Sequence, residues 1–155
     1  MKKIVHLSDL HFGRIDAGLV GPLVEAVNET QPTLVVVSGD LTQRARSQQF
    51  KEARDFLDRL PKPQVVVPGN HDVPLYDVYS RFARPLDKWR RFISEEVEPS
   101  YEDEEMVVAG VNTARSLTRK YGRVSEQQVA GLRERLCRYP AGVLKVIVTH
   151  HPFDV

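Results

Sequence analysis

Short β-branched apolar runs, each closed by small or polar residues, alternate along this chain with stretches whose apolar positions recur every three or four residues. Ile4-Val5-His6-Leu7 ends at Ser8-Asp9, Leu34-Val35-Val36-Val37 at Ser38-Gly39-Asp40, and Val65-Val66-Val67 at Pro68-Gly69-Asn70. Met106 to Val111 ends at Asn112-Thr113, and Val143 to Val148 at Thr149-His150. Such runs predict strands buried on both faces. Between them, Phe50, Ala53, Leu57 and Leu60 predict a helix over 46–60, stopped by Pro61 and Pro63. Val129, Leu132 and Leu136 predict another over 126–138, opened by Ser125 and Gln128 at capping-box spacing. Val20, Leu23, Val24 and Val27 predict a helix ahead of the second strand. Its start stays open, because Pro22 suits only a first turn.

Strands alternating with helices predict an α/β fold with a largely parallel sheet and crossover helices. Ligands in such sheets bind beyond the carboxyl ends of the strands. The 155 residues fit one domain over 1–155. Residues 73–105 break the pattern. Tyr76, Tyr79, Phe82, Trp89 and Phe92 interleave there with Arg81, Arg84, Lys88, Arg90 and Arg91. This stretch reads as an amphipathic cap over the site with its rings in the core. The alternative, a nucleic-acid platform, is disfavoured by the acids from Glu95 to Glu105 behind it, which would repel a nucleic-acid backbone. Those acids read as a solvated hairpin or loop.

Charge adds little. Lys plus Arg is 22 and Asp plus Glu is 21, so a formal charge of +1 gives no general attraction to polyanions or anionic membranes. The lone Cys137 forms no intrachain disulfide and reads as packed and inert. No apolar run is long enough for a signal peptide or a membrane span. The expected location is therefore the cytoplasm.

The chemistry-bearing residues sit at the strand ends: Asp9-Leu10-His11, Gly39-Asp40, Gly69-Asn70-His71-Asp72 and His150-His151-Pro152. Each alone could be a polar turn. Four of them together place oxygen and imidazole donors around one rim, which is how a two-metal hydrolytic site is built. His6, inside the first strand, reads as a satisfied core histidine. Arg44 and Arg46 read as a phosphate contact or a solvated helix start, and Asn112 and Arg115 as loop residues that could face the site.

In their order and spacing these segments resemble the calcineurin-like metallophosphoesterase superfamily over almost the whole chain. Ser8-Asp9-Leu10-His11-Phe12 and Gly39-Asp40-Leu41-Thr42 look most like its small bacterial phosphodiesterases, including class III cyclic nucleotide enzymes. The resemblance implies the N-terminal part of a four-layer α-β-β-α sandwich. It implies two divalent ions (Mn, Fe or Zn) around a bridging hydroxide: Asp9, His11 and Asp40 for one ion, Asp40, Asn70 and His150 for the other. His71 would serve the leaving oxygen and Asp72 would orient His71. The implied activity is hydrolysis of a small phosphodiester such as a cyclic nucleotide. Alternatives are a nuclease of the same superfamily and a shortened, inactive protein that acts by binding metal or by association. The family's Gly-His-x-His segment is absent from the 155 residues. The expectation is a domain shortened at its C-terminus, with weak metal binding, little turnover alone, and an exposed sheet edge after 143–149 through which chains could self-associate.

Overall fold

The computed structural model describes residues 1–117 and 121–152. Eleven regular elements follow in order: β1 (Ile4–Leu7), α1 (Ala17–Thr30), β2 (Leu34–Ser38), α2 (Ser47–Asp58), β3 (Gln64–Val67), α3 (Val78–Ala83), α4 (Asp87–Phe92), β4 (Ser100–Glu102), β5 (Met106–Gly110), α5 (Glu126–Cys137) and β6 (Leu144–Val148). A single 3-10 turn, Asn70–Asp72, follows β3. The strands form two three-stranded sheets. The first is wholly parallel in the order β1-β2-β3, and the second runs β4-β5-β6 with β4 antiparallel to β5 and β6 parallel to it.

The two-residue period of β2 explains the layering. Val35 and Val37 join a core with Val24 and Val27 of α1, Phe50, Ala53 and Leu57 of α2, and Trp89 of α4. Leu34 and Val36 face the other way. They join Val65 and Val67 of β3, Met106 and Val108 of β5 and Val148 of β6 in a second core between the sheets. Strands β2 and β3 are thus pinned from both faces. On the far side of the second sheet, α5 lines a cavity with Ile147 and none of its residues is buried. β6 is the outer strand of its sheet among the described residues, with Leu144 and Ile147 exposed.

The predicted strands and helices all form, but β1 and β6 are not buried on both faces as expected, because nothing among the described residues covers their outer sides, and Cys137 is exposed rather than packed. Three further differences are local. Helix α1 starts well before Pro22, because the Asp16 carboxylate caps it by accepting from Gly18 N at 2.9 Å. Pro22 costs the helix one bond, to the carbonyl of Gly18, a residue that solvent reaches. The acidic stretch holds a short polar strand, β4, that only its pairing with β5 defines. The aromatic stretch divides in two. In α4 Trp89 is fully buried against Phe50, but Tyr76, Tyr79 and Phe82 are exposed rather than core.

Asp103 closes the turn between β4 and β5. Its Oδ1 accepts from Glu105 N at 2.8 Å and Met106 N at 2.9 Å, while Oδ2 accepts from Lys2 Nζ and the Tyr101 hydroxyl, each at 2.8 Å. The Lys2 ammonium, with these other donors, holds the Asp103 carboxyl well below the ordinary value of 3.8. A depressed folded pKa stabilises the fold above the unfolded value, and the gain disappears as pH falls through the folded one. Asp103→Asn is therefore expected to destabilise the protein near neutrality, with the difference from wild type shrinking as pH drops below 3.8. Urea unfolding across that range measures it.

Candidate metal centre

Beyond their ends, β1 and β2 stay zipped together. Asp9 N donates to Gly39 O (3.2 Å), His11 N to Asp40 O (3.0 Å), Phe12 N to Leu41 O (2.8 Å) and Gln43 N to Phe12 O (3.0 Å). This pairing is bought with backbone strain: Asp9, His11 and Asp40 have φ of 56°, 50° and 53°. Each left-handed non-glycine residue costs about 1–2 kcal/mol. Asp and His tolerate the conformation better than bulkier or β-branched residues do. The strain turns three donor side chains toward one space.

That space is a cavity of about 440 Å³ lined by Asp9, His11, Asp40, Gln43, Arg44, Asn70, His71, Val73, Leu75, Arg81 and His150. Asp40 is buried at its centre. Its Oδ2 lies 3.8 Å from His11 Nε2, and its Oδ1 lies 3.4 Å from His150 Nε2. Asp9 Oδ1 is 3.7 Å from His11 Nε2. Two groups of donors each fall within 4.8 Å of one another: His11, Asp40 and His71, and Asp9, Asp40 and His150. Asp40 belongs to both. The grouping differs from the implied one in two respects, since Asp9 falls with His150 and His71 joins His11.

The donor set fits a cation. His150 Nδ1 lies 2.8 Å from the Ser38 carbonyl, to which it can only donate. In the neutral ring Nε2 is then an acceptor, yet it sits 3.0 Å from Asn70 Oδ1 and near Asp40 Oδ1. His150 Nε2 and Asn70 Oδ1 thus face each other as acceptors, while Asp40 Oδ1 already accepts from His71 N at 2.9 Å, and a positive charge between the first two would turn their repulsion into attraction. Oxygen and imidazole donors suit borderline divalent ions. A ring nitrogen fixed on a backbone carbonyl is the usual support for a histidine ligand.

His71 is held the same way, with Nδ1 2.9 Å from the Gln43 carbonyl. Its ring meets His11 edge-on at 4.9 Å. The sequence predicts that Asp72 orients His71, but Asp72 goes elsewhere. Buried behind the cavity, its carboxylate accepts from Leu41 N (3.2 Å), Thr42 N (2.8 Å), Thr42 Oγ1 (3.0 Å) and Gly69 N (3.0 Å). It fastens the loop after β2 to the loop after β3. Burial pushes its carboxyl up to about 6, helped by the charge of Asp40 and opposed by the donors from Gly69 and Thr42.

The remaining candidates separate. Arg44 lines the cavity, while Arg46 is exposed at the start of α2. His6, expected in the core, is exposed on the uncovered side of β1, though it bonds Ser38 Oγ at 2.7 Å. His151 lies behind His150, with Nδ1 2.7 Å from Thr113 Oγ1 and its pKa lowered by burial. Asn112 and Arg115 line a different cavity with Glu98 and Gln128. The sequence also left Arg81 and the Gln43 carbonyl unassigned. Arg81 is one charge among many in its stretch, and a main-chain acceptor leaves no sequence signal.

The family model for calcineurin-like phosphoesterases matches residues 2–154. The glycerophosphodiester phosphodiesterase GpdQ of Enterobacter lignolyticus is 34% identical over 94 residues, 54% of this chain and 33% of that protein. A probable glycerophosphodiester phosphodiesterase GpdQ of Arcobacter nitrofigilis is 25% identical over 126 residues, 81% of this chain and 44% of that one. The chain thus spans a third of one of these curated relatives and less than half of the other. The crystal structure of phosphopantetheinyl hydrolase (PptH) from Mycobacterium tuberculosis shares the fold, with a TM-score of 0.54 at 17% identity over 97% of this chain and 68% of that one.

Two glycines permit the close approach. A Cβ on Gly39, itself at φ 92°, would lie 2.8 Å from Gly69 N and from the His150 ring, and one on Gly69 would run into the Asp40 carboxylate and amide. Gly131, in α5, has nothing within 4 Å. Gly69→Ala is expected to cost at least about 2 kcal/mol, as overpacking against backbone does. Gly131→Ala should gain about 0.5–1 kcal/mol. Thermal unfolding of the two variants should shift in opposite directions.

Proposed function

This chain belongs to the calcineurin-like phosphoesterase family, and from that premise we propose that it hydrolyses small phosphodiesters with the help of two divalent cations. The observation that carries the reading is Asp40, whose two carboxylate oxygens face two separate groups of donors. Asp9, His11, Asp40, Asn70 and His150 would hold the ions. When bound, such ions neutralise phosphoester charge and make water acidic enough to attack at neutral pH. Mn²⁺, Fe and Zn²⁺ all suit the donors. The curated relatives named for glycerophosphodiester hydrolysis support a diester over a monoester. A cavity of about 440 Å³ suits a small ester, a cyclic nucleotide among them.

The chain's own residues would divide the work. Asp40 sets the spacing of the two donor groups. His71, its Nδ1 tied to the Gln43 carbonyl, turns the other ring nitrogen to the cavity and, as the doubly protonated imidazolium, would deliver the Nε2 proton to the leaving oxygen and be left neutral. Asp72 keeps the loops bearing Asp40 and Asn70 in register through the Leu41, Thr42 and Gly69 amides. Arg44 and Arg81 give the cavity wall positive charge for an anionic ester. Among the described residues no helix is long and apolar enough to cross a membrane.

Asp40→Asn is expected to reduce bound Mn²⁺ in equilibrium dialysis and to lower turnover of a generic phosphodiester at least about a hundredfold. Unchanged Mn²⁺ stoichiometry and rate in that variant would overturn the reading. The proton-donor role has a separate signature. His71→Ala should slow esters with alkoxide leaving groups by about 10²–10⁴-fold. It should slow nitrophenyl esters, which need little protonation, far less. Equal losses for both ester types would remove His71 from that role.

A further inference from the structure

We propose that an apolar groove beside the donor cluster binds a hydrophobic arm of the substrate, an alkyl, acyl or aryl group on one side of the scissile phosphorus. This assignment rests on the phosphodiester reading above and narrows its substrate class to amphiphilic diesters.

The groove is a second cavity, of about 320 Å³, between α1 and the segment that follows β1. Leu10, Phe12, Ile15, Leu19, Leu23 and Phe56 supply its apolar lining. Phe12 and Phe56 are closed into the core, their ring centroids 5.5 Å apart. Leu19 is 65% exposed. The lining offers water few partners, so apolar atoms gain by displacing it.

Continuity with the donor cluster identifies the occupant. Asp9 and His11 line both this groove and the larger cavity, so the groove adjoins one member of each donor group. A phosphorus centre held there would carry one substituent toward each cavity. The larger one is walled by Gln43, Arg44 and Arg81 and suits a polar or anionic arm. The groove suits the opposite chemistry. Asp16, which also lines the groove, is engaged in capping α1. Volume agrees as well, since about 320 Å³ lies at the lower end of small-ligand sites and matches one arm rather than a whole substrate.

The test uses the full chain in Mn²⁺ buffer and two probes, methylphosphonate and n-hexylphosphonate, with affinities from calorimetry. Complete burial gains about fourfold per methylene. Five added methylenes in a partly open groove should therefore tighten binding by at least about thirtyfold. Leu19→Asp places a charge at the groove in an exposed helical position that the core does not need, and far-UV circular dichroism checks that α1 persists. In that variant the hexyl-to-methyl ratio should fall below about fivefold. Equal affinity for the two probes in the wild type, or a ratio that survives Leu19→Asp, would overturn the groove assignment while leaving the phosphodiester reading in place. Binding of neither probe would overturn both.

Discussion

The loops that follow β2 and β3 approach so closely that the Asp40 side chain and amide occupy the space a Cβ on residue 69 would need. The rest of the rim takes its position from that contact. It carries Asn70 and His71 up to Asp40, and it allows the Asp72 carboxylate to collect amides from both loops. Gly39, held at positive φ, brings the same backbone against the His150 ring. Donors that lie more than a hundred residues apart in the chain therefore meet because two positions have no side chain at all.

Close approach has an energetic counterpart. Three strained residues and a set of facing acceptors oppose the folded state at the rim. Strands β2 and β3 below supply the compensation, because both are buried on two faces and fix their own ends, and β1 is held to β2 by their parallel pairing. Local strain of this kind survives only where surrounding structure over-determines it. A cation would convert the same arrangement from repulsive to attractive, so the unfavourable rim and the capacity to bind metal share one cause.

Much of this arrangement is legible in the sequence for a physical reason. Val35 to Val37 and Val65 to Val67 are short, β-branched and followed by Gly-Asp and Gly-Asn, so strand and strand-end loop are both written locally. Asp9, His11, Asp40, Asn70, His71 and His150 line one cavity because parallel strands align their carboxyl ends. What escaped depends on distant partners. Ser100-Tyr101-Glu102 is a strand only beside β5. Asp72 looks like a neighbour for His71, yet its burial gives it to the amides of Leu41, Thr42 and Gly69. Tyr79 and Phe82 carry a core-like pattern, but α3 leaves both exposed.

The bond from His150 to the Ser38 carbonyl spans 112 residues. The first sheet can therefore form from the first half of the chain without its rim being finished. The last imidazole arrives only when β6 has paired with β5 and the second sheet has docked on the first. Non-local closures of this kind come late and slowly in folding. Until then the emerging chain carries a half-built set of donors, and completion of that set marks the moment the two sheets lock together.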